Sequence, residues 1–176
     1  MHSGKPFLIN VVVGADMKEL YKVVIVDDEA FAREALEFLV NWENLGFELV
    51  GSAENGKQAL EIIAEYQPDL VITDIAMPEM SGMELIAYVR EHMHFQPKFV
   101  ILSAYGTFDY AKEAMRLGVE NYILKPIIRR EVTQKLAEIK EDMDREKRER
   151  AVREKTDRSL ANLSCSYLSR LSLIHI

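Results

Sequence analysis

The amino-acid sequence predicts an α/β domain in which five parallel strands form one sheet covered by helices on both faces. Short, almost continuously apolar runs alternate along the chain with longer segments that carry apolar residues at helical spacing. Such runs are typical of strands buried on both faces, as the strands of a parallel sheet are. Turn residues separate most of these segments, so the boundaries of the elements can also be placed.

The five predicted strands are rich in β-branched and other apolar residues. The first run stops at Asp27 and the third stops at Asp74. Asn55-Gly56 closes the second run, Ser103 ends the fourth, and Lys125 ends the fifth. The strands are expected over residues 21–26, 47–53, 70–73, 99–102 and 121–124.

The five predicted helices are recognised by apolar residues that recur every three or four positions. In the first helix this stripe is expected to contain Phe31, Phe38 and Trp42. Pro68 stops the second helix and Gly118 stops the fourth, because proline cannot continue a helix and glycine favours its C-terminal turn. The helices are expected over residues 30–42, 57–66, 83–91, 108–117 and from about 129 onward.

Right-handed crossovers between parallel strands leave few topologies for this alternation. We expect a flavodoxin-like (βα)5 three-layer sandwich with strand order 2-1-3-4-5 and a C-terminal helical extension. The domain is placed in residues 17–140, and residues 1–16 are interpreted as a leader or tag. Residues 141–176 are expected to form a charged helical linker and tail, because acidic residues repeatedly precede basic ones by four positions.

Composition and charge exclude several classes of protein. Of the 176 residues, 48% are hydrophobic, which excludes wholesale disorder. A single cysteine, Cys165, excludes a disulfide scaffold and a multi-cysteine zinc site. The net charge of −7 argues against direct DNA binding by this chain, and no apolar stretch is long enough to cross a membrane. We therefore expect a cytoplasmic protein that contacts neither DNA nor membrane.

Five polar residues follow the predicted strands, at the edge where open parallel sheets bind ligands. They are Asp27, Asp28, Asp74, Ser103 and Lys125. Two carboxylates about 5 Å apart repel by roughly 3 kcal/mol at an effective dielectric constant near 20, so three are expected to share a cation. An all-oxygen ligand set favours Mg2+. Ser103 and Lys125 are suited to hold phosphoryl oxygens, and an aspartate can be the nucleophile that accepts them.

Each of these residues alone would be an ordinary helix cap or surface residue, but together they belong to a recognisable set of motifs. The motifs are Val-Asp-Asp-Glu (26–29), Asp-Ile-Ala-Met-Pro-Glu-Met-Ser-Gly (74–82), Leu-Ser-Ala-Tyr (102–105) and Tyr-Ile-Leu-Lys-Pro (122–126). The set resembles the receiver domain of two-component response regulators over about residues 20–143. Residues 41–56 further resemble receivers that are fused to AraC-type DNA-binding domains.

The resemblance implies a role for each residue at the predicted site. Asp74 would accept a phosphoryl group from a histidine kinase, and Lys125 would pair with that group. Asp28 and Asp74 would bind Mg2+ directly, together with the backbone carbonyl of Ala76, and Asp27 would bind it through water. Catalysis of the transfer would thus depend on Asp74, Lys125 and Ser103.

The resemblance also implies a conformational switch. Ser103 would move towards the phosphoryl group, and Tyr122 would rotate inward behind it. The same resemblance implies a cis peptide bond between Lys125 and Pro126. A surface beside the fifth strand would then bind a partner or a second copy of the chain.

Our interpretation is a phosphorylation-dependent switch that controls a C-terminal DNA-binding domain absent from this chain, and not a turnover enzyme. One alternative is a free-standing phosphorelay receiver, which the charged helix after residue 140 disfavours. Another is a Mg2+-dependent phosphatase with an aspartate nucleophile. Enzymes of that type carry a second acid two positions after the nucleophile. Two positions after Asp74 this chain has Ala76.

Overall fold

A computed structural model describes residues 19–104 and 108–172 of the chain, with side chains over 19–104 and 112–160. The interpretation of residues 1–16 as a leader lies outside the described residues. The strands are β1 (Tyr21–Val26), β2 (Phe47–Ala53), β3 (Leu70–Thr73), β4 (Lys98–Ser103) and β5 (Asn121–Leu124). The helices are α1 (Ala30–Leu39), α2 (Trp42–Leu45), α3 (Gly56–Tyr66), α4 (Gly82–His92), α5 (Phe108–Arg116) and α6 (Arg129–Ser172).

The described strands form one parallel sheet in the order β2-β1-β3-β4-β5, which confirms the predicted topology. Because successive side chains of a strand point to opposite faces, β1 supplies both cores. Val23 and Ile25 pack in the core under α1, α2 and α6, whereas Val24 and Val26 pack in the core under α3, α4 and α5. This double burial explains why the strand sequences are apolar at nearly every position.

The first predicted helix is wrong at its C-terminal end. Helix α1 stops at Leu39 because Val40 is extended, and Trp42 begins the separate short helix α2. Asn41 caps α2 by accepting a hydrogen bond from the Asn44 amide, at 3.3 Å. Trp42 is buried, as expected, but in a different helix.

The face of α1 that packs on the sheet also differs from the predicted stripe. Ala32 and Leu36 are the buried residues of this helix. Phe31 and Phe38 are 81% and 90% exposed. Helix α1 therefore packs on the sheet through Ala32 and Leu36, and its two phenylalanines face solvent.

Helix α6 begins at Arg129, as predicted, and extends well beyond the domain. Its buried stripe consists of Val132, Leu136, Ile139 and Met143. From there to residue 160 its residues are almost all exposed, which agrees with the expected helical extension. Within the described residues, no helix is long and apolar enough to span a membrane.

Polar contacts anchor α6 to the amino ends of the strands. The Tyr21 hydroxyl at the start of β1 donates a hydrogen bond to Asp144 at 2.9 Å, and Lys98 at the start of β4 donates one to Glu146 at 2.9 Å. Lys147 pairs with Glu19 at 2.5 Å and lies 5.8 Å from the centroid of the Tyr21 ring. The helix is thus held at the edge of the sheet opposite to the carboxyl ends of the strands.

Tyr21 provides a pH-dependent test of this anchor. Burial, and then the hydrogen bond to Asp144, raises the pKa of Tyr21 from 10.0 to about 12. The stabilisation is therefore complete below the unfolded-state pKa and is lost as the pH rises towards 12. Tyr21→Phe should lower the free energy of unfolding in urea by about 1 kcal/mol near pH 8. This difference should shrink at about pH 11. A difference that stays constant would contradict the assigned hydrogen bond.

Candidate functional site

Two buried carboxylates lie side by side at the carboxyl edge of the sheet. Asp27 follows β1 and Asp74 follows β3, and these strands are neighbours. Backbone hydrogen bonds hold both residues in line with the sheet, from the Asp74 amide to Val26 O at 2.9 Å and from the Asp27 amide to Ala53 O at 3.0 Å. The side chains therefore meet because the strand order brings together positions that are far apart in the sequence.

Lys125 bridges these carboxylates from the other half of the sheet. Its ammonium donates a hydrogen bond to Asp74 Oδ2 at 2.7 Å and forms an ion pair with Asp27 Oδ2 at 2.8 Å. Glu29 Oε1 lies 3.5 Å from the same nitrogen. The Lys125 amide bonds Ser103 O at 2.8 Å, and the Lys125–Pro126 peptide bond is cis, as predicted.

The protonation of the cluster follows from burial and from these contacts. Burial alone would lower the pKa of Lys125, but hydrogen bonds and charges from Asp27 and Asp74 outweigh it and raise the pKa. Lys125 is therefore a cation at neutral pH. Burial raises the pKa of Asp27, opposed by the Lys125 hydrogen bond and the Glu29 amide. The site holds more carboxylates than cations, which favours an added positive charge.

Local backbone contacts fix Asp74. The Ile75 amide donates a hydrogen bond to Asp74 Oδ1 at 2.5 Å, and the Thr73 hydroxyl donates one to Asp74 O at 2.9 Å. Gly82, at the start of α4, packs against the same carbonyl so closely that a Cβ there would lie 2.0 Å from Asp74 O. This position therefore requires glycine for its small size.

The other predicted residues lie around this cluster. Ser103 is buried at the end of β4, one strand from Asp74, and Tyr122 is half-buried on β5. Ala76 is exposed in the loop after β3. Asp28 is exposed and lies outside the group of carboxylates brought together by the fold. The roles of these four residues stay predictions.

Glu29 takes the position in the carboxylate group that we expected Asp28 to have. Oxygen atoms of Asp27, Glu29 and Asp74 lie within 4.8 Å of one another. Glu29 is extended, and residues two apart on an extended segment point to the same side. The spacing of two residues between Asp27 and Glu29 could thus have identified Glu29 from the sequence.

The chemistry of these donors fits a hard divalent cation. The three carboxylates supply only oxygen ligands, which Mg2+ prefers. Asp27 Oδ2 is buried, and its one partner among the described residues is the Lys125 ammonium, at 2.8 Å. A buried oxygen with unused lone pairs can bind a cation or a water held by one.

Comparison with known proteins agrees with this arrangement. Residues 23–137 match the family described as the response regulator receiver domain. The chain belongs to this family. Response regulator receiver domains are signalling proteins that histidine kinases phosphorylate, and the acidic cluster with Lys125 occupies the expected edge of the receiver fold.

Individual relatives support the assignment to the receiver family. The chain is 41% identical over 127 residues to the uncharacterized transcriptional regulatory protein YesN of Bacillus subtilis, covering 72% of this chain and 34% of YesN. The receiver domain of AraT, a response regulator from Geobacillus stearothermophilus, has a TM-score of 0.68 and 35% identity, covering 73% of this chain and 98% of that one.

A third relative is the Borrelia burgdorferi CheX-CheY-BeF3-Mg complex, with a TM-score of 0.62 and 26% identity over 68% of this chain and 88% of that one. The solved structures are thus matched over nearly their whole length. In contrast, the chain spans only about a third of the length of YesN.

The close contact at Gly82 can be tested by mutation. Gly82→Ala should destabilise the domain by about 1–3 kcal/mol, because the new methyl group meets the Asp74 carbonyl and alanine's better helix propensity cannot offset this. Glu91→Ala is the control, since Glu91 is exposed on the same helix and its truncation leaves the approach of α4 to Asp74 unchanged. Urea unfolding would measure both, and equal losses would refute the close approach of α4 to Asp74.

Proposed function

We propose that Asp74 is the phosphoryl acceptor of this receiver domain and that Lys125 stabilises the transferred group. The observation that carries the proposal is the 2.7 Å contact between Lys125 Nζ and Asp74 Oδ2 at the carboxyl edge of the sheet. Asp74 Oδ1 is held by the Ile75 amide, so the carboxylate has a defined orientation. This combination of an oriented carboxylate and a neighbouring cation suits phosphoryl transfer.

The proposed reaction forms one bond and breaks one. An oxygen of Asp74 attacks the phosphorus of a phosphohistidine on the kinase, and the phosphorus–nitrogen bond breaks. The nitrogen keeps the electron pair of the broken bond and takes up a proton. Lys125, charged because its carboxylate neighbours raise its pKa, offsets the negative charge on the phosphoryl oxygens.

Mg2+ is the proposed cofactor. Asp28, Asp74 and the carbonyl of Ala76 would hold it directly, and Asp27 through water, as the family resemblance implies. The bound ion would neutralise negative charge between the carboxylates and the phosphoryl group. The CheY relative from Borrelia burgdorferi was solved with BeF3 and Mg2+, which supports the same chemistry here.

The proposed output is a change of conformation rather than turnover of a substrate. Ser103 and Tyr122 would form the switch, and phosphorylation would favour the active arrangement and a homodimer. Ala76 stands where an aspartate-nucleophile phosphatase would carry its acid. The alanine at this position supports a switch over a phosphatase. We place the protein in the cytoplasm, together with its kinase.

The output domain would be a C-terminal AraC-type DNA-binding domain reached through α6. The relative YesN is called a transcriptional regulatory protein, and this chain spans only about a third of its length. The net charge of −7 disfavours DNA binding by the receiver itself. Control of transcription would therefore belong to the longer protein.

The phosphoryl acceptor can be tested directly. The wild-type chain incubated with Mg2+ and acetyl phosphate should gain the mass of one phosphoryl group, measured by intact-mass spectrometry. Asp74→Asn should gain none, because an amide is a poor nucleophile. Asp69→Asn, which removes an exposed carboxylate at the opposite edge of the sheet, should be labelled like the wild type. Equal labelling of Asp74→Asn would refute the proposal.

The proposed kinase contact is the exposed apolar face of α1. This helix begins one residue after Glu29, so Phe31 lies beside the carboxylate cluster, where the phosphohistidine must arrive. Phe31 and Phe38 together expose two aromatic rings on a single helix. Exposed aromatic residues of this kind are typical of protein-binding surfaces.

A matched pair of donors tests this contact. A panel of histidine kinases would first be screened for the one that phosphorylates the wild type fastest. Phosphoryl transfer from this kinase to Phe31→Ala should be slower by about tenfold or more. Labelling by acetyl phosphate, which needs no docking, should stay within about twofold. Met115→Ala, which truncates an exposed apolar side chain on α5, is the control and should change neither rate. Equal loss with both donors would contradict a docking role.

A further inference from the structure

Glu29 occupies an unusual position between a helix terminus and the carboxylate cluster. It is the N-cap residue of α1, yet within residues 19–104 its carboxylate makes no capping hydrogen bond. No acidic residue lies in the first turn of this helix either. A carboxylate near a helix N-terminus is normally favourable there. The Glu29 side chain instead faces the Lys125 ammonium, with Oε1 at 3.5 Å from Nζ.

The three carboxylates around Lys125 differ in depth. The Asp27 side chain is 1% exposed and that of Glu29 is 64% exposed, so Glu29 lies at the mouth of the site. The Glu29 amide donates a hydrogen bond to Asp27 Oδ1 at 3.0 Å, which fixes the backbone of Glu29 against the buried cluster. The side chain of Glu29 is exposed, whereas its backbone is fixed.

Lys125 covers the oxygens that the proposed reaction needs. Its ammonium contacts Oδ2 of both Asp27 and Asp74. A divalent cation that binds these oxygens brings a second positive charge to the same place and repels the ammonium outward. Among the described side chains, Glu29 is the carboxylate towards which Lys125 can move outward without losing an ionic partner.

We propose that Glu29 is a positioning residue for Lys125: it receives the ammonium when that group leaves Asp27 and Asp74, and so facilitates cation binding at these carboxylates. This inference rests on the proposed role of Asp74 as the phosphoryl acceptor. It assigns Glu29 no contact with the phosphoryl group. Glu29 would instead affect the concentration of Mg2+ at which Asp74 can be phosphorylated.

Two variants at position 29 separate the effect of the carboxylate charge from the effect of side-chain length. Glu29→Gln removes the charge and keeps the length of the side chain. Glu29→Asp keeps the charge but shortens the side chain, and aspartate at an N-cap tends to bond the helix amides instead. If Glu29 acts by placing its carboxylate within reach of Lys125, both variants should weaken Mg2+ binding to a similar extent. Glu34→Gln is the control, because Glu34 is exposed on the same helix and lies outside the carboxylate group.

Two measurements test the proposal. Calorimetric titration with Mg2+ should give a dissociation constant about three to ten times higher for Glu29→Gln and Glu29→Asp than for the wild type. The Mg2+ concentration that half-saturates labelling by acetyl phosphate should rise by the same factor, while the rate at saturating Mg2+ should change less than about twofold. Glu34→Gln should match the wild type in both measurements.

Two outcomes would overturn the inference. One is a dissociation constant for Glu29→Gln within about twofold of the wild type. The other is wild-type behaviour of Glu29→Asp beside a weakened Glu29→Gln, which would mean that only the local charge matters. These outcomes are separate from failure of the proposed function, which would appear as labelling of Asp74→Asn. Circular dichroism of each variant would confirm that the fold is intact.

Discussion

The bridge from Lys125 to Asp27 and Asp74 is the interaction on which the functional site depends. Two buried carboxylates on neighbouring strands repel each other, and a single ammonium within 2.8 Å of both offsets that repulsion. The bridge requires β5 to lie two strands from β3, so that the long Lys125 side chain reaches past the end of β4. The sheet order is therefore a condition of the chemistry as well as of the fold.

The carboxyl ends and the amino ends of the strands make different kinds of contact. The carboxyl edge carries the charged cluster, held by short bonds to the backbone such as that from Ile75 to Asp74. The amino edge anchors α6 through Tyr21 and Lys98, far from the cluster. Because β1 and β4 each run from one edge to the other, the same strands support the site and the helix that leaves the domain.

Strand positions were predictable because the physical requirement is simple. A strand covered on both faces must be largely apolar, and the central runs of β1, β3 and β4 fulfil this. The α1 boundary was not predictable from spacing. Trp42 lies four positions after Phe38, as a helix would require, but the extended backbone at Val40 interrupts the helix. Spacing also favoured Phe31 and Phe38 as core residues, although tertiary packing buries Ala32 and Leu36 instead.

The sequence by itself determined the layered fold and the identity of Asp27, Asp74 and Lys125 as residues that meet, whereas the strand order was one of the few topologies that right-handed crossovers allow. It did so because polar residues that directly follow buried strands are carried to one edge of a parallel sheet. Only the tertiary structure showed that the Glu29 carboxylate also lies beside them. Neighbouring residues in a loop point in different directions, and which of them turns inward depends on the backbone at the start of α1 and on the position of Lys125.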